Sequence, residues 1–380
     1  MKVDVLHPSE LDASALTGWS RLQAGAADFG NPLLGPGFTR AVGEVRPDAR
    51  VAIWRDGRRA SGFLGFHRTL GGFARPIGAP FSDYQALVSQ AAFPDAAEAL
   101  TAAGLNGLRV DGLVDVHGVF SGNLERHAAH RIDLSAGPEA YFTELRGRSR
   151  NRWRNFTRYS RRLTREMGPL QVAAPDDSPA AFARLLAWKR RQLAQTGLHD
   201  FTRSAWVSEL MHRLFETPEP AFGGLMISLY AGERPIAAHF GVRQDGWFHP
   251  WLGAYDPELA EYSPGLVHQV LAVEAAAAIG IRIYDLGPKA AHSKSMFANA
   301  TIEVRAGLAV GSSLPAIVAE RSERLLAASS GGLAMLGRAR RRWDHIAAVE
   351  PRLAGRLAGV AGAATALNRR FGAWSKANPA

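Results

Sequence analysis

Apolar residues recur along this chain with two periods, and the period assigns the elements. From Ala49, ARVAIWRDGRRASGFLGFHRT predicts two strands joined through a tight Asp56-Gly57 turn. PIGAPFSDYQALV adds a third strand and a loop. FPDAAEALTAAG predicts a short helix ending at a glycine, and LRVDGL and HRIDLS predict further short strands. The first 140 residues thus read as a mixed α/β unit.

A second unit follows Pro175. SPAAFARLLAWKRRQLAQTG has a Ser178 cap, proline at the first helical position and Gly197 at its end. Another helix is predicted over roughly Ser204–Glu216. GGLMISLYAGERPIAAHFGVRQDGWFHPWLGAYD reads as three strands in series, separated by Gly232-Glu233 and Asp245-Gly246 turns. SPGLVHQVLAVEAAAAIG predicts a helix capped by Ser263, IRIYDLG a buried strand and TIEVRAGLAV another. Three strands, a helix and a strand occur clearly here and more weakly in the first unit. That suggests an internal duplication without sequence identity.

Between the units, Glu139 to Met167 reads as one long helix. Phe142, Leu145, Trp153, Phe156, Tyr159 and Leu163 give it one apolar face, and the other face is cationic. Residues 315–374 predict two or three amphipathic helices rich in Ala, Gly and Arg. The expected plan is an N-terminal half over 1–140, a linking helix over 141–170, a C-terminal half over 171–312 and a basic helical tail over 313–380.

Charge sharpens this picture. The 380 residues carry a net charge of +10, and two segments hold all the excess. Residues 146–166 contain nine arginines and a single acid, Glu166. Residues 321–380 contain eleven Lys/Arg against Glu323, Asp344 and Glu350. The rest is acidic overall, so anionic partners are expected at these two segments. The absence of cysteine excludes disulfides and thiolate metal sites, and no metal is expected. RLAGVAGAATALNRRF falls short of the about 20 apolar residues that span a bilayer, and no signal core follows Met1. A cytoplasmic location is expected, with peripheral contact to the inner membrane as an extension.

Ser263-Pro264-Gly265 opens a helix directly after a strand and a short loop. First-turn amides lack internal partners and carry the positive end of the helix dipole, which suits a pyrophosphate. Gly265 permits close backbone approach. An ordinary capped helix explains the same residues.

AWKRRQLAQTGLHDF, IAAHFGVR, WLGAYDPELAEYSPGL and YDLGPKAAHSKSMFAN, in this order, resemble the CelD-type GNAT acyltransferases of bacterial polysaccharide biosynthesis, relatives of the Fem peptidyltransferases. The resemblance spans about 185–310, and GNPLLGPGF and RPIGAPFSDYQ extend it loosely into 15–90. It implies an α/β fold of tandem GNAT-like acyltransferase domains. It further implies acetyl-CoA or another acyl-CoA as co-substrate, held at Ser263, Pro264, Gly265 and Leu266. Trp188, Lys189, Gln192, Gly197, Asp285, Gly287, Lys294 and Phe297 also match its motifs. The sequence departs from the pattern at Pro288 and at Ala290-Ala291.

Acyl transfer needs positioning, a proton acceptor and donors to the oxyanion. His239 and His249 are the candidate bases, because histidine titrates near neutrality. A two-residue Asp245-Gly246 turn pairs Val242 with His249 and His239 with Leu252. The two histidines then point to opposite faces, so at most one is a base. Asp285 either orients a base or caps a turn. Trp188, Lys189, Gln192, Tyr255 and Lys294 are the candidate substrate-binding positions.

Three functions follow. The first is an acyl-CoA-dependent transferase acting on a sugar or lipid-linked saccharide precursor of an exopolysaccharide. The second is a Fem-like transferase using charged tRNA. The third is a GNAT-fold effector that binds a cyclic dinucleotide or an anionic membrane surface through its tail. DNA is not an expected partner. The tail is expected to be separable, so that a chain ending near residue 312 folds.

Overall fold

The computed structural model describes residues 2–350, except 123, 197, 289–291 and 329–331, together with residue 356. Gly197, Ala290, Ala291 and, Arg356 apart, the tail beyond Glu350 lie outside the described residues.

The first unit runs β1 (Lys2–Leu6), α1 (Ala13–Ala24), α2 (Pro36–Val45), β2 (Ala49–Asp56), β3 (Arg59–Arg68), β4 (Phe73–Pro76), β5 (Val88–Ser89), α3 (Ala96–Ala102), β6 (Gly107–Leu113) and β7 (Glu125–Asp133). Helices α4 (Pro138–Arg148) and α5 (Arg150–Met167) link it to the second. That unit runs β8 (Leu170–Ala173), α6 (Pro179–Thr196), α7 (Ala205–Phe215), β9 (Gly223–Ala231), β10 (Arg234–Gln244), β11 (Trp247–Tyr255), α8 (Pro264–Ala278), β12 (Ile283–Gly287), α9 (His292–Phe297) and β13 (Ala300–Val310). Helices α10 (Leu314–Ala328) and α11 (Gly332–Val349) follow.

All these strands join one mixed sheet in the order β1-β2-β3-β4-β6-β13-β7-β12-β11-β10-β9-β8, with β5 beside β3. The order shows the duplication directly. In the first unit β1 to β4 pair antiparallel in series and β4 then pairs parallel with β6, across the α3 crossover. In the second, β8 to β11 pair antiparallel in series and β11 pairs parallel with β12, across α8. Each unit then gives its last strand to the other: β7 lies against β12, and β13 against β6.

Side-chain alternation divides the core between the two sheet faces. On one face Trp19, Phe38, Phe63, Trp206, Leu210, Phe240 and Leu252 form a cluster that α1, α2, α6 and α7 share. On the other, α3 covers Trp54, Leu64 and Leu108, while α8 and α4 cover Ile227, Phe248 and Tyr284.

The structure corrects one expectation and bears on another. The linking segment is two helices, because Ser149 leaves helical geometry (φ −134°, ψ 55°). This break lets Phe142 and Leu145 bury against the second unit while α5 turns Leu163 into a separate cluster. The end of the tail, moreover, packs on both units, which weighs against its being separable. The carbonyl of Val349 accepts from Trp206 Nε1 (2.7 Å) and Ser204 Oγ (3.0 Å), and that of Ala348 from Arg46 Nη1 (3.3 Å). Ile346 and Val349 are buried there, and the Arg46 guanidinium stacks 4.7 Å from the Trp206 ring. The end of α11 therefore ties the two units together.

Trp206→Ala is expected to lower the free energy of unfolding by about 3–5 kcal/mol, the cost of a large core truncation. A chain ending at residue 312 is expected to melt well below the full chain. Urea and thermal unfolding measure both, and equal stability in either variant would contradict the tail's role.

Candidate active site

Parallel strands β11 and β12 pair only at Trp247–Ile283 and Phe248–Tyr284. Beyond Phe248 they part, and β11 continues to Tyr255 with its β12-facing edge free of a strand partner. A cleft of about 240 Å³ lies there, lined by Trp188, Gln192, His239, Tyr255, Gly265 and His268. Ligands of open α/β sheets bind where the carboxyl ends of parallel strands separate, and this cleft has that position.

His239 is part-buried on β10. Its Nδ1 lies 2.5 Å from the hydroxyl of Tyr284, and its ring sits 4.4 Å from His268. Burial, then the neighbouring His268 and Lys189, push its pKa well below the ordinary histidine value. It is neutral at neutral pH. His268 is neutral too, lowered to about 4 by burial, and its Nε2–H donates to the carbonyl of Ile227 (2.9 Å). Room for the His239 ring comes from Gly253. A Cβ there would stand 2.8 Å from the ring's Cδ2 and 2.9 Å from Nε2.

The strand register accounts for this placement. Val242 pairs with His249, as the turn predicts. His239 pairs with Gly253 and not Leu252, because the ladder slips between Phe240 and Gly241 and leaves Trp251 unpaired. The slip does not alter which face His239 occupies. His239 lies toward α8 and His249 toward the first unit.

His249 is 1 % exposed. Its Nδ1 is 3.3 Å from Asp285 and its Nε2 is 3.5 Å from Asp83, close ion-pair contacts without aligned hydrogen bonds. Burial lowers its pKa, but the two carboxylates outweigh burial and raise it to about 9. Asp285 is fully buried. It accepts from Tyr84 Oη (2.8 Å), Asn31 Nδ2 (3.2 Å) and the Gly287 amide (2.7 Å), and Arg131 Nε stands 3.4 Å away. Burial raises its pKa, and His249, Arg131 and Tyr84 hold it below the usual value. His249 and Asp285 therefore form a buried charge cluster on the face opposite the cleft, and they line no part of it.

The remaining candidates divide. Trp188, Gln192, Tyr255 and Gly265 meet in the cleft. Lys189 stands behind it, donating to Gln192 (3.2 Å), with its pKa lowered by burial. Ser263 precedes α8 but does not cap it. Its backbone is left-handed (φ 49°, ψ 51°) and its side chain bonds no helix amide. Pro264 is buried and Leu266 packs inward, which leaves Gly265 as the first-turn position facing the cleft. Lys294 lies on α9, and its side chain is outside the described residues. The pattern of strands does not single out His268, Tyr284 or Gly253. His268 sits on an apolar helix face and Tyr284 in a buried strand, where a structural residue is the ordinary reading.

Helix α5 flanks the opening of α8. Arg162 pairs with Glu261 (2.7 Å) and stacks 4.3 Å from Tyr262, which donates to Glu166 (2.8 Å). Contact with Ser263, then with Arg158, lowers the pKa of Tyr159. Arg150, Arg154, Arg158, Arg161 and Arg165 are exposed at helical spacing and form one stripe.

Residues 150–295 match the Acetyltransferase (GNAT) domain family. The match spans α5 to α9 and contains the whole cleft. The fold is α/β with GNAT-like units in tandem, and the protein is an acyltransferase. Enzymes of this class take the acyl group from an acyl-CoA. Similar solved structures include FemX, at 10% identity over 68% of this chain and 86% of that one (TM-score 0.46). Others are a tandem GNAT protein from the clavulanic acid biosynthesis pathway (11%, 82% and 100%, 0.44) and the C-terminal domain of a putative lysylphosphatidylglycerol synthetase from Agrobacterium fabrum (12%, 82% and 95%, 0.44). No curated protein matches the chain. None of the described helices is long and apolar enough to cross a membrane.

The buried cluster predicts a pH dependence. The raised pKa of His249 means that folding favours its protonated form. Its contribution is complete below its ordinary value of 6.5 and is lost as pH rises through about 9. Asp285 has the opposite sign and loses its contribution only as pH falls below the carboxylate range. His249→Gln is therefore expected to be much less stable than the parent at pH 6.5, with the gap narrowing by pH 10. Urea unfolding at both values measures this. A gap independent of pH would show that His249 is not held as a cation.

Proposed function

We propose that the cleft between β11 and β12 takes the acyl donor and that His239 accepts the proton of the attacking group. The observation that carries this reading is the parting of the two strands beside a neutral histidine and the opening of α8. With Nδ1–H donating to the Tyr284 hydroxyl, His239 presents the Nε2 lone pair to the cleft. An acyl-CoA supplies the thioester. The acceptor's nitrogen or oxygen bonds to the carbonyl carbon, its proton passes to Nε2, and the thiolate leaves. The free edge of β11 offers backbone amides to the donor, and Gly265 admits its diphosphate close to the first turn of α8.

The acceptor in this reading is an amino or hydroxyl group of an exopolysaccharide or lipid-linked sugar precursor. Its support is the sequence resemblance across 185–310 and the arginine stripe on α5, which runs about 22 Å at 1.5 Å per residue and suits a diphosphate linkage or an anionic membrane surface. The reading sets the reaction in the cytoplasm, beside the inner membrane. The same stripe favours a second reading, in which aminoacyl-tRNA is the donor.

Calorimetric titration with acetyl-CoA and with charged tRNA separates the two, because the first reading requires acetyl-CoA to bind. Gly265→Glu adds bulk 3.3 Å from Tyr255 and a negative charge, and is expected to abolish acetyl-CoA binding in folded protein. His239→Ala is expected to lower release of CoA thiol, with an amino sugar as acceptor, by about 10²–10⁴-fold. Unchanged donor affinity in the first variant, or an unchanged rate in the second, would overturn the corresponding assignment.

A further inference from the structure

The duplication gives the first unit a wedge of its own. Strands β4 and β6 also run parallel, pair only at Phe73–Gly107 and Ala74–Leu108, and then part. On the α3 side the gap is filled by Leu108, Val110 and the helix. The opposite side differs between the units. In the second unit that side of β12 is plugged by Asn31 and Tyr84 around Asp285. In the first unit α10 and α11 roof it, and a cavity of about 790 Å³ remains beneath them. That volume lies within the range of sites for whole small molecules.

The roof is held by charge. Arg109 Nη2 donates to Glu323 of α10 (2.6 Å), Arg109 Nε faces Asp344 of α11 (3.5 Å), and Arg340 also pairs with Glu323. Arg75, on β4, is different. It lines the cavity, its buried Nε has no hydrogen-bond partner, and its guanidinium forms no ion pair among the described residues. Burial, with Arg46 next, lowers its pKa to about 10, and Asp48 and Asp344, which form no ion pair with it, offset only part of that shift. An unpaired guanidinium facing a cavity is costly to keep unless an anion sometimes meets it. The cavity is also lined by the Trp343 indole of α11 and by Phe73 and Leu308, which offer apolar surfaces.

We propose that the wedge between β4 and β6, closed by the tail, is a second ligand site for a phosphate-bearing molecule with a flat or apolar body. Arg75 meets the phosphate and Trp343 the body. Nucleotides and lipid phosphates share this chemistry. The site is separate from the acyl-donor cleft and rests on none of its residues.

The test is calorimetric titration of the full chain, at low salt, with UDP, ADP and octyl phosphate. At least one is expected to bind. Tighter binding of a nucleotide than of octyl phosphate identifies a nucleotide site, and the reverse a lipid-phosphate site. Arg75→Gln is expected to weaken that binding at least tenfold and to leave acetyl-CoA affinity unchanged. Ser322→Glu, on the exposed side of α10 at the cavity rim, adds like charge without touching the sheet and is expected to do the same. It provides the test if Arg75→Gln fails to fold. The proposal is overturned if none of the three probes binds, if both folded variants bind as the parent does, or if the probe competes with acetyl-CoA.

Discussion

One buried carboxylate organises this molecule. Asp285 lies at the centre of a continuous sheet, fully excluded from water, and remains ionised because four segments far apart in the chain converge on it. Asn31 comes from the loop before α2, Tyr84 from the loop after β4, Arg131 from β7 and His249 from β11. Arg131 extends the cluster outward to Asp28 (2.8 Å) and over the Trp247 ring (4.5 Å). A buried ion cluster is a poor source of net stability, because desolvation offsets most of its attraction. It is a strict geometric condition all the same: a slip of one residue in β7 or β12 would strand a charge in the core. The two units cannot dock in another register without that penalty.

The exchange of last strands follows from the same constraint. With β7 seated against β12, and β13 against β6, neither unit holds a complete sheet alone. GNPLLGPGF shows how closely the first unit approaches the second. A Cβ at Gly30 would stand 2.7 Å from Trp247 Nε1, so this position requires glycine for contact between units and not for a turn. The duplicated architecture thus yields two parted parallel pairs in one sheet. One faces the second unit's own helices as a narrow cleft. The other, lacking a partner to plug it, is roofed by the tail.

The two strand histidines illustrate how environment divides identical side chains. The two are ten residues apart on adjacent strands, His249 enclosed and His239 part-buried at the cleft. His239 sees a phenol, another neutral imidazole and a lysine, so burial leaves it uncharged. His249 sees two carboxylates, so it holds its proton. A base must be free of its proton to accept one, and a structural cation must keep it. The partners supplied from the first unit, Asp83 among them, decide which histidine does which.

Local pattern carried a large part of this. The period-two runs and their Gly-containing turns located the strands from Ala49 to Arg68 and from Gly223 to Tyr255, and helical periodicity located α6 and α8. The Asp245-Gly246 turn placed His239 and His249 on opposite faces, because alternation along a strand is a property of the backbone itself. Motif wording picked out Trp188, Gln192, Tyr255 and Gly265, which meet in the cleft. What the chain could not reveal by itself is whatever depends on partners far away in sequence. The slip at Trp251, the break at Ser149, the role of Asp285 as a junction, the exchange of β7 and β13 and the docking of the tail on Trp206 all belong here. The last three rest on contacts across a hundred residues or more, and the first two are departures from regular backbone geometry. Neither is written in local periodicity, because hydrophobic pattern specifies which face of an element is covered and leaves open what covers it.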